Sequence, residues 1–259
     1  MPTRSNASSP SCRAVSRALA ASLLLLLFGC ASAPPASPPA IEPGGPPWEV
    51  PLAAIGTQQL FRMSYSGPRG EGSFRLALKI ESAARYQASA ADPLGRALWS
   101  LDVTADRGLF LDHRARAACA LDGALSLVGA PLERIALADL PKLLLGRVPV
   151  SPRGGRDEAV AVTSDGASGE IDLVGTTGEV WKVSLDRGKP VRWILFRAGQ
   201  RAAGWTIEKG ESVLSDQKGG RLRWRSSVAE PLAGRLAPLT APADYAKEGC
   251  AALALGEGR

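Results

Sequence analysis

From Trp48 onward, short stretches of alternating apolar and polar residues are separated by clusters of Gly, Pro, Asp or Ser, a pattern characteristic of antiparallel β structure. The alternation predicts strands over Gln59–Ser66, Gly72–Glu81, Tyr86–Ala91, Ala97–Thr104 and Gly108–Leu111. After an interval it predicts more over Ala159–Thr163, Gly169–Val174, Val180–Leu185, Val191–Arg197, Ala203–Ile207 and Leu222–Val228. In the second strand Phe74, Leu76, Leu78 and Ile80 fall on one face, with Arg75, Lys79 and Glu81 on the other. One side of that sheet is therefore apolar.

The interval has a different period. Between Leu121 and Val150 leucines recur three and four positions apart. Leu140, Leu143, Leu144 and Leu145 predict a short amphipathic helix, with Asp139 favourable in its first turn, Pro141 tolerated there and Gly146 placed to stop it. A weaker helical turn is expected over Leu121–Val128. About eleven strands alone would default to a closed sandwich. An apolar helical insert offers a second use: it can cover a curved sheet whose open face is greasy, making a pocket for an apolar ligand. Helices that simply plug a core fit the pattern equally well.

Between the third and fourth strands lies Asp92-Pro93-Leu94-Gly95. Pro93 presets its own φ, Gly95 can take a positive φ and Asp92 can bond nearby backbone, so this is good turn chemistry. Leu94 is not required by the turn. A leucine at a hairpin tip cannot fold back onto the sheet it caps, so it meets water or some other medium.

The first fifty residues change the picture. Arg4, Arg13 and Arg17 precede an apolar run of about eleven residues, Ala18–Phe28, which fits a signal-peptide core and is too short to span a bilayer. It ends in Leu27-Phe28-Gly29-Cys30, the pattern of a lipobox. Residues 1–29 are thus expected to be a lipoprotein signal peptide, and mature protein to begin at an acylated Cys30. One acyl chain binds a membrane marginally, whereas two or more hold it firmly. Ala31–Pro47 contains seven prolines and reads as a tether reaching up to about 50 Å at ~3.1 Å per residue. The formal charge of +6 falls to +3 when the three signal arginines leave, a balance that does not call for nucleic acid.

Arg85-Tyr86, Asp92-Pro93-Leu94-Gly95, the alternating Ala97–Thr104 strand, Leu137–Pro149 (LADLPKLLLGRVP) and Val180-Trp181-Lys182-Val183 together resemble the outer-membrane lipoprotein receptor LolB. They are less closely similar to its periplasmic relative LolA. The resemblance covers most of Trp48 to about Gly210. It implies a mainly β fold, an incomplete antiparallel barrel of about eleven strands closed by a short helical lid, over residues 48–250 with a tail at 251–259. It implies a hydrophobic cavity and lid that hold lipoprotein acyl chains, for which Phe74, Leu76, Leu78, Trp99, Leu101, Leu140, Leu143, Leu144 and Leu145 are the candidates. It also implies cargo received from a LolA-like periplasmic carrier, and a tip, Pro93, Leu94 and Gly95, that enters the bilayer. The expected setting is the periplasmic face of the outer membrane, as a lipid-anchored monomer. Ala31 agrees, since it is not the aspartate that retains enteric lipoproteins in the inner membrane. The alternative is a non-transporting envelope lipoprotein that uses the same fold as an interaction or assembly module.

Two features depart from that pattern. Glu211–Arg259 has no counterpart, and Cys119 and Cys250 are additional. In an exported chain two such cysteines most simply pair, and a bridge closing about 130 residues would stabilise by about 4 to 5 kcal/mol in the chain-entropy view. Two buried thiols are the other possibility.

Enzyme chemistry finds little support. The single histidine, His113, sits in a turn and reads as exposed, which leaves a Ser-His-Asp triad nothing to be built on. No His, Cys or acid cluster has metal-ligand spacing, and Gly154-Gly155 and Gly219-Gly220 are turns. No catalytic residue, metal or cofactor is expected.

Overall fold

The computed structural model describes residues 46–68, 70–128, 131–132, 134–150, 160–162, 168–247 and 253–254. The expected signal peptide, Cys30, most of the tether, Cys250 and the final tail lie outside them.

Six strands open the fold as a meander: β1 (Thr57–Gly67), β2 (Gly70–Ser82), β3 (Arg85–Ala91), β4 (Ala97–Thr104), β5 (Arg107–Asp112) and β6 (Ala117–Asp122). Each pairs antiparallel with the next. Register follows the alternation, because a slip by one residue would turn the apolar set outward. Phe61 and Met63 of β1 stand opposite Leu76 and Phe74 of β2, all buried, while Arg62 and Arg75 face each other in solvent.

Next comes an insert of β7 (Ala124–Val128), β8 (Arg134–Ala136), a 3-10 turn (Leu137–Asp139) and α1 (Leu140–Leu144). Seven more strands follow: β9 (Val160–Val162), β10 (Ser168–Val174), β11 (Val180–Asp186), β12 (Lys189–Arg197), β13 (Gln200–Glu208), β14 (Glu211–Asp216) and β15 (Arg221–Ser226). They form a second meander that joins the first where β15 pairs with β1. The main sheet therefore runs β6-β5-β4-β3-β2-β1-β15-β14-β13-β12-β11-β10-β9 and does not close on itself. It is the half-open antiparallel barrel expected, with one short α-helix among the described residues.

Two local expectations are corrected. Leu121–Val128 is not helical: Leu121 ends β6 and Leu125 lies in β7, with Gly123 at φ +70 turning the chain between them. The four-residue leucine spacing arises from two strands meeting at a corner. Glu211–Asp216, predicted as no element, is β14, where Val213 and Leu214 are both buried and erase the alternation.

After β15 the chain crosses the outer face. Glu230-Pro231 (β16) pairs with the start of β1, and Ala246-Lys247 (β17) runs parallel to β6. Between them, Gln87 Nε2 donates to Ala237 O at 2.6 Å and the Leu239 N–H donates to Asp102 Oδ2 at 2.8 Å. Asp102 is also held by Arg85, so the tail is strapped to β3 and β4. A last pair of residues, Leu253-Ala254 (β18), lies parallel to β7.

Candidate functional site

The inner face of the sheet is covered by the segment Leu137–Val150. Leu137, Leu140, Leu143, Leu144, Val148 and Val150 are all buried there. Asp139, next to Pro141 at the helix start, binds Lys142 Nζ at 2.6 Å, and the same ammonium donates to Val150 O at 2.9 Å, which folds the segment into a compact unit. Gly146 takes φ +71 just past the helix, a conformation glycine adopts without strain.

The segment is latched at both ends by aromatic side chains of the sheet. The Tyr86 hydroxyl on β3 donates to Leu137 O at 2.7 Å, and the Trp224 indole on β15 donates to Leu144 O at 3.0 Å. Burial, with Asp139 nearby, pushes the Tyr86 phenol far above its ordinary pKa, so it stays a donor. Leu137 also reaches Gly108 on β5, and a methyl group at Gly146 would stand 3.3 Å from Cζ2 of Trp205 on β13. A short helix and its flanks thus span the inner face from β5 to β13.

The sequence-predicted cavity residues are mostly brought together here. Phe74, Leu76, Leu78 and Leu101 are buried in the sheet and Leu140, Leu143 and Leu144 in the cover; Trp99 and Leu145 are half-buried at its margins. The cover's leucines occupy the inner face in this state. Two surface depressions, 260 Å³ around Leu132 and Asp216 and 510 Å³ around Tyr65 and Arg223, are lined by a mixture of polar and apolar groups and lie elsewhere.

The tip stands apart. Leu94 is 81% exposed, and Pro93 and Gly95 are exposed with it. What holds them is Asp92, whose Oδ1 accepts the N–H groups of Leu94 and Arg96, both at 2.9 Å, while Oδ2 accepts Arg96 Nε at 2.6 Å. Those bonds, led by the Arg96 N–H, keep the Asp92 carboxyl below its usual range. The leucine is presented by a built turn, not by a loose loop.

His113 is not the exposed turn residue anticipated. Its Nε2 lies 2.9 Å from Ser100 Oγ and its Nδ1 2.8 Å from the Tyr245 hydroxyl, so both ring nitrogens are engaged in fastening the tail to β4. No acid orients it.

Sequence reasoning missed a file of tryptophans on the inner face. Trp181, Trp193 and Trp205 follow one another across β11, β12 and β13, with ring centroids 4.9 Å and 6.3 Å apart, and Trp224 continues it on β15. Their twelve-residue recurrence in the chain, one per strand and turn, was the available signal. Arg147, buried just after Gly146, was missed as well.

Neither a protein-family model nor a curated protein matches the sequence. Among solved structures the chain is similar to a LolA superfamily protein from Nitrosomonas europaea, at 10% identity and a TM-score of 0.50, over 73% of this chain and 90% of that one. It is also similar to an outer membrane lipoprotein-sorting protein domain from Vibrio parahaemolyticus, at 11% identity and a TM-score of 0.42, over 71% and 90% of the two chains. The likeness to the Nitrosomonas europaea protein is one of fold.

Proposed function

We propose that this protein is a LolB-like lipoprotein receptor, acylated at Cys30 and facing the periplasm from the outer membrane. It takes lipoprotein acyl chains from a LolA-like periplasmic carrier into the space under the leucine cover, and helps insert them into the membrane. The single observation that carries this reading is the cover itself: a short leucine-rich segment with five helical residues, held on an apolar inner face by side-chain hydrogen bonds to the carbonyls of Leu137 and Leu144. Acyl chains can replace leucine side chains on that face at little cost, since one apolar surface is exchanged for another. Uptake then requires displacing a small element, and no bond is made or broken. The fold of the LolA superfamily protein supports the same reading.

Leu94 supplies the second part. An exposed leucine on a rigid turn is suited to enter a bilayer, and the acyl anchor holds it within reach of one. Leu94→Glu is expected to leave the fold unchanged and to abolish delivery of lipoproteins to vesicles, because it places a charge where apolar contact is needed. Delivery at the normal rate by that variant would show that the tip plays no part.

We also propose that Cys119 pairs with Cys250. Ala246 and Lys247 stand opposite Ala117 and Ala118, so the tail arrives beside buried Cys119 three residues before Cys250.

A second reading is favoured by the way the leucines already fill the inner face: an envelope lipoprotein that never opens and serves as an interaction module. Mass spectrometry of lipid that co-purifies with the protein separates the two. Retained acyl chains support the carrier, and a consistently empty protein supports the module.

A further inference from the structure

The cover segment ends in a charge without a counter-charge. Arg147 is 5% exposed, its Nη1 is enclosed with no hydrogen-bond partner, and none of the ion pairs among the described residues includes it. A guanidinium stays protonated in proteins, so this is a buried cation. Burial pushes its pKa down.

Gly146, the preceding residue, leans on Trp205, which begins the file of Trp205, Trp193 and Trp181. The indole N–H of each of these three is enclosed and without a partner. Apart from Arg221 Nε on the outer face, these and Arg147 Nη1 are the enclosed side-chain polar atoms left unsatisfied among the described residues. All are donors. Buried polar groups in folded proteins are otherwise satisfied almost without exception, so a buried cation on the cover and three enclosed indole donors on the wall that Gly146 abuts point to a ligand that accepts hydrogen bonds and carries negative charge.

We infer that the face under the cover takes amphiphiles with an anionic head, a carboxylate or a phosphodiester, with the head at Arg147 and the acyl chain along the aliphatic strands β2 to β4. This rests on the acyl-binding reading above and adds a ligand class to it. A fully acylated cysteine has no charge at its lipid-bearing atoms, whereas fatty acids and phospholipids do.

The test uses the full chain in a nonionic detergent, with tryptophan fluorescence titrated by four probes: oleate, phosphatidylglycerol, oleyl alcohol and inorganic phosphate. One or both anionic amphiphiles are expected to bind on the order of tenfold to a hundredfold more tightly than the alcohol. The tighter of the two identifies the head. Arg147→Met should erase the preference while keeping the affinity for alcohol, and Arg147→Lys should keep most of it. An unchanged or raised melting temperature shows that the methionine variant is folded, and Arg147→Gln provides a second uncharged variant. The inference is overturned if the alcohol binds wild-type protein as tightly as the anions do. It is likewise overturned if the preference survives Arg147→Met, or if inorganic phosphate alone saturates the site. Binding of alcohol and anions with equal affinity would leave acyl binding standing, whereas failure of every amphiphile to bind would sink acyl binding as well.

Discussion

The two halves of the inner face are built on different principles. On β2 to β4 the wall is mostly aliphatic, with Leu76, Leu78, Ala88, Ala90 and Leu101 buried beside Phe74, and its buried hydroxyl, on Tyr86, is used in latching the cover. On β11 to β13 the wall is aromatic, and its indole N–H groups are used by nothing. Apolar burial alone explains the first half. Burial does not explain the second, because the same area could have been covered by leucine or phenylalanine without enclosing a single unsatisfied donor. The cover lies across both halves, and on the proposed reading it sets a seat for chains beside a seat for something that accepts hydrogen bonds.

The largest effect that sharpens this contrast is expected at Trp193, which is 0% exposed. Trp193→Ala should cost about 3 to 5 kcal/mol in chemical denaturation, as for a large side chain removed from a packed interior. A loss below ~1 kcal/mol would mean that the aromatic wall is loosely packed and not part of the core. Next comes Tyr86→Phe, which strands the Leu137 carbonyl and should cost about 1 to 3 kcal/mol. It should also quicken hydrogen exchange through Leu140–Leu144. Arg147→Met should act in the opposite direction on the empty protein, because it removes an uncompensated buried charge. A gain near 1 kcal/mol would raise the melting temperature of a chain this size by about 2 to 4 °C. A fall instead would show that the guanidinium already has a counter-charge.

The smallest effect lies at the tip. The Asp92 carboxyl titrates below its ordinary value in the folded chain, so its contribution is complete above about pH 4 and fades as the pH falls through the lower folded value. Amide protection factors at Leu94 and Arg96 should therefore hold at pH 5 and fall in stronger acid, with those of the sheet unchanged. A fall in protection already between neutral pH and pH 5 would break the assignment.

Much of this was legible in the chain. Strict alternation marked β2 because one face is wet and the other dry, and Asp139, Pro141 and Gly146 bracketed the helix by elementary capping rules. Leu94 stood out because the turn had no use for it. The losses have physical causes as well. β14 is buried on both faces, so it shows no period of two, and the leucines of Leu121–Val128 imitate a helix because a corner at Gly123 brings two strands into a spacing of four. Arg147 was invisible for a different reason: an arginine just past a helix stop is ordinarily in solvent, and only the packing of Gly146 against Trp205 shows that it is not.

The seam between β1 and β15 has a consequence for biogenesis. The Leu60 N–H donates to Ser227 Oγ, 167 residues further along the chain, so the middle of the sheet cannot be sealed until nearly all of the protein has been made. Until then β1 offers an unpaired edge to any neighbouring strand. Closing so long a loop is slow, and chains emerging together are exposed to mispairing throughout that wait. Holdase chaperones that shield the newly made N-terminal meander should therefore raise the yield of folded protein more than those that act on the finished sheet.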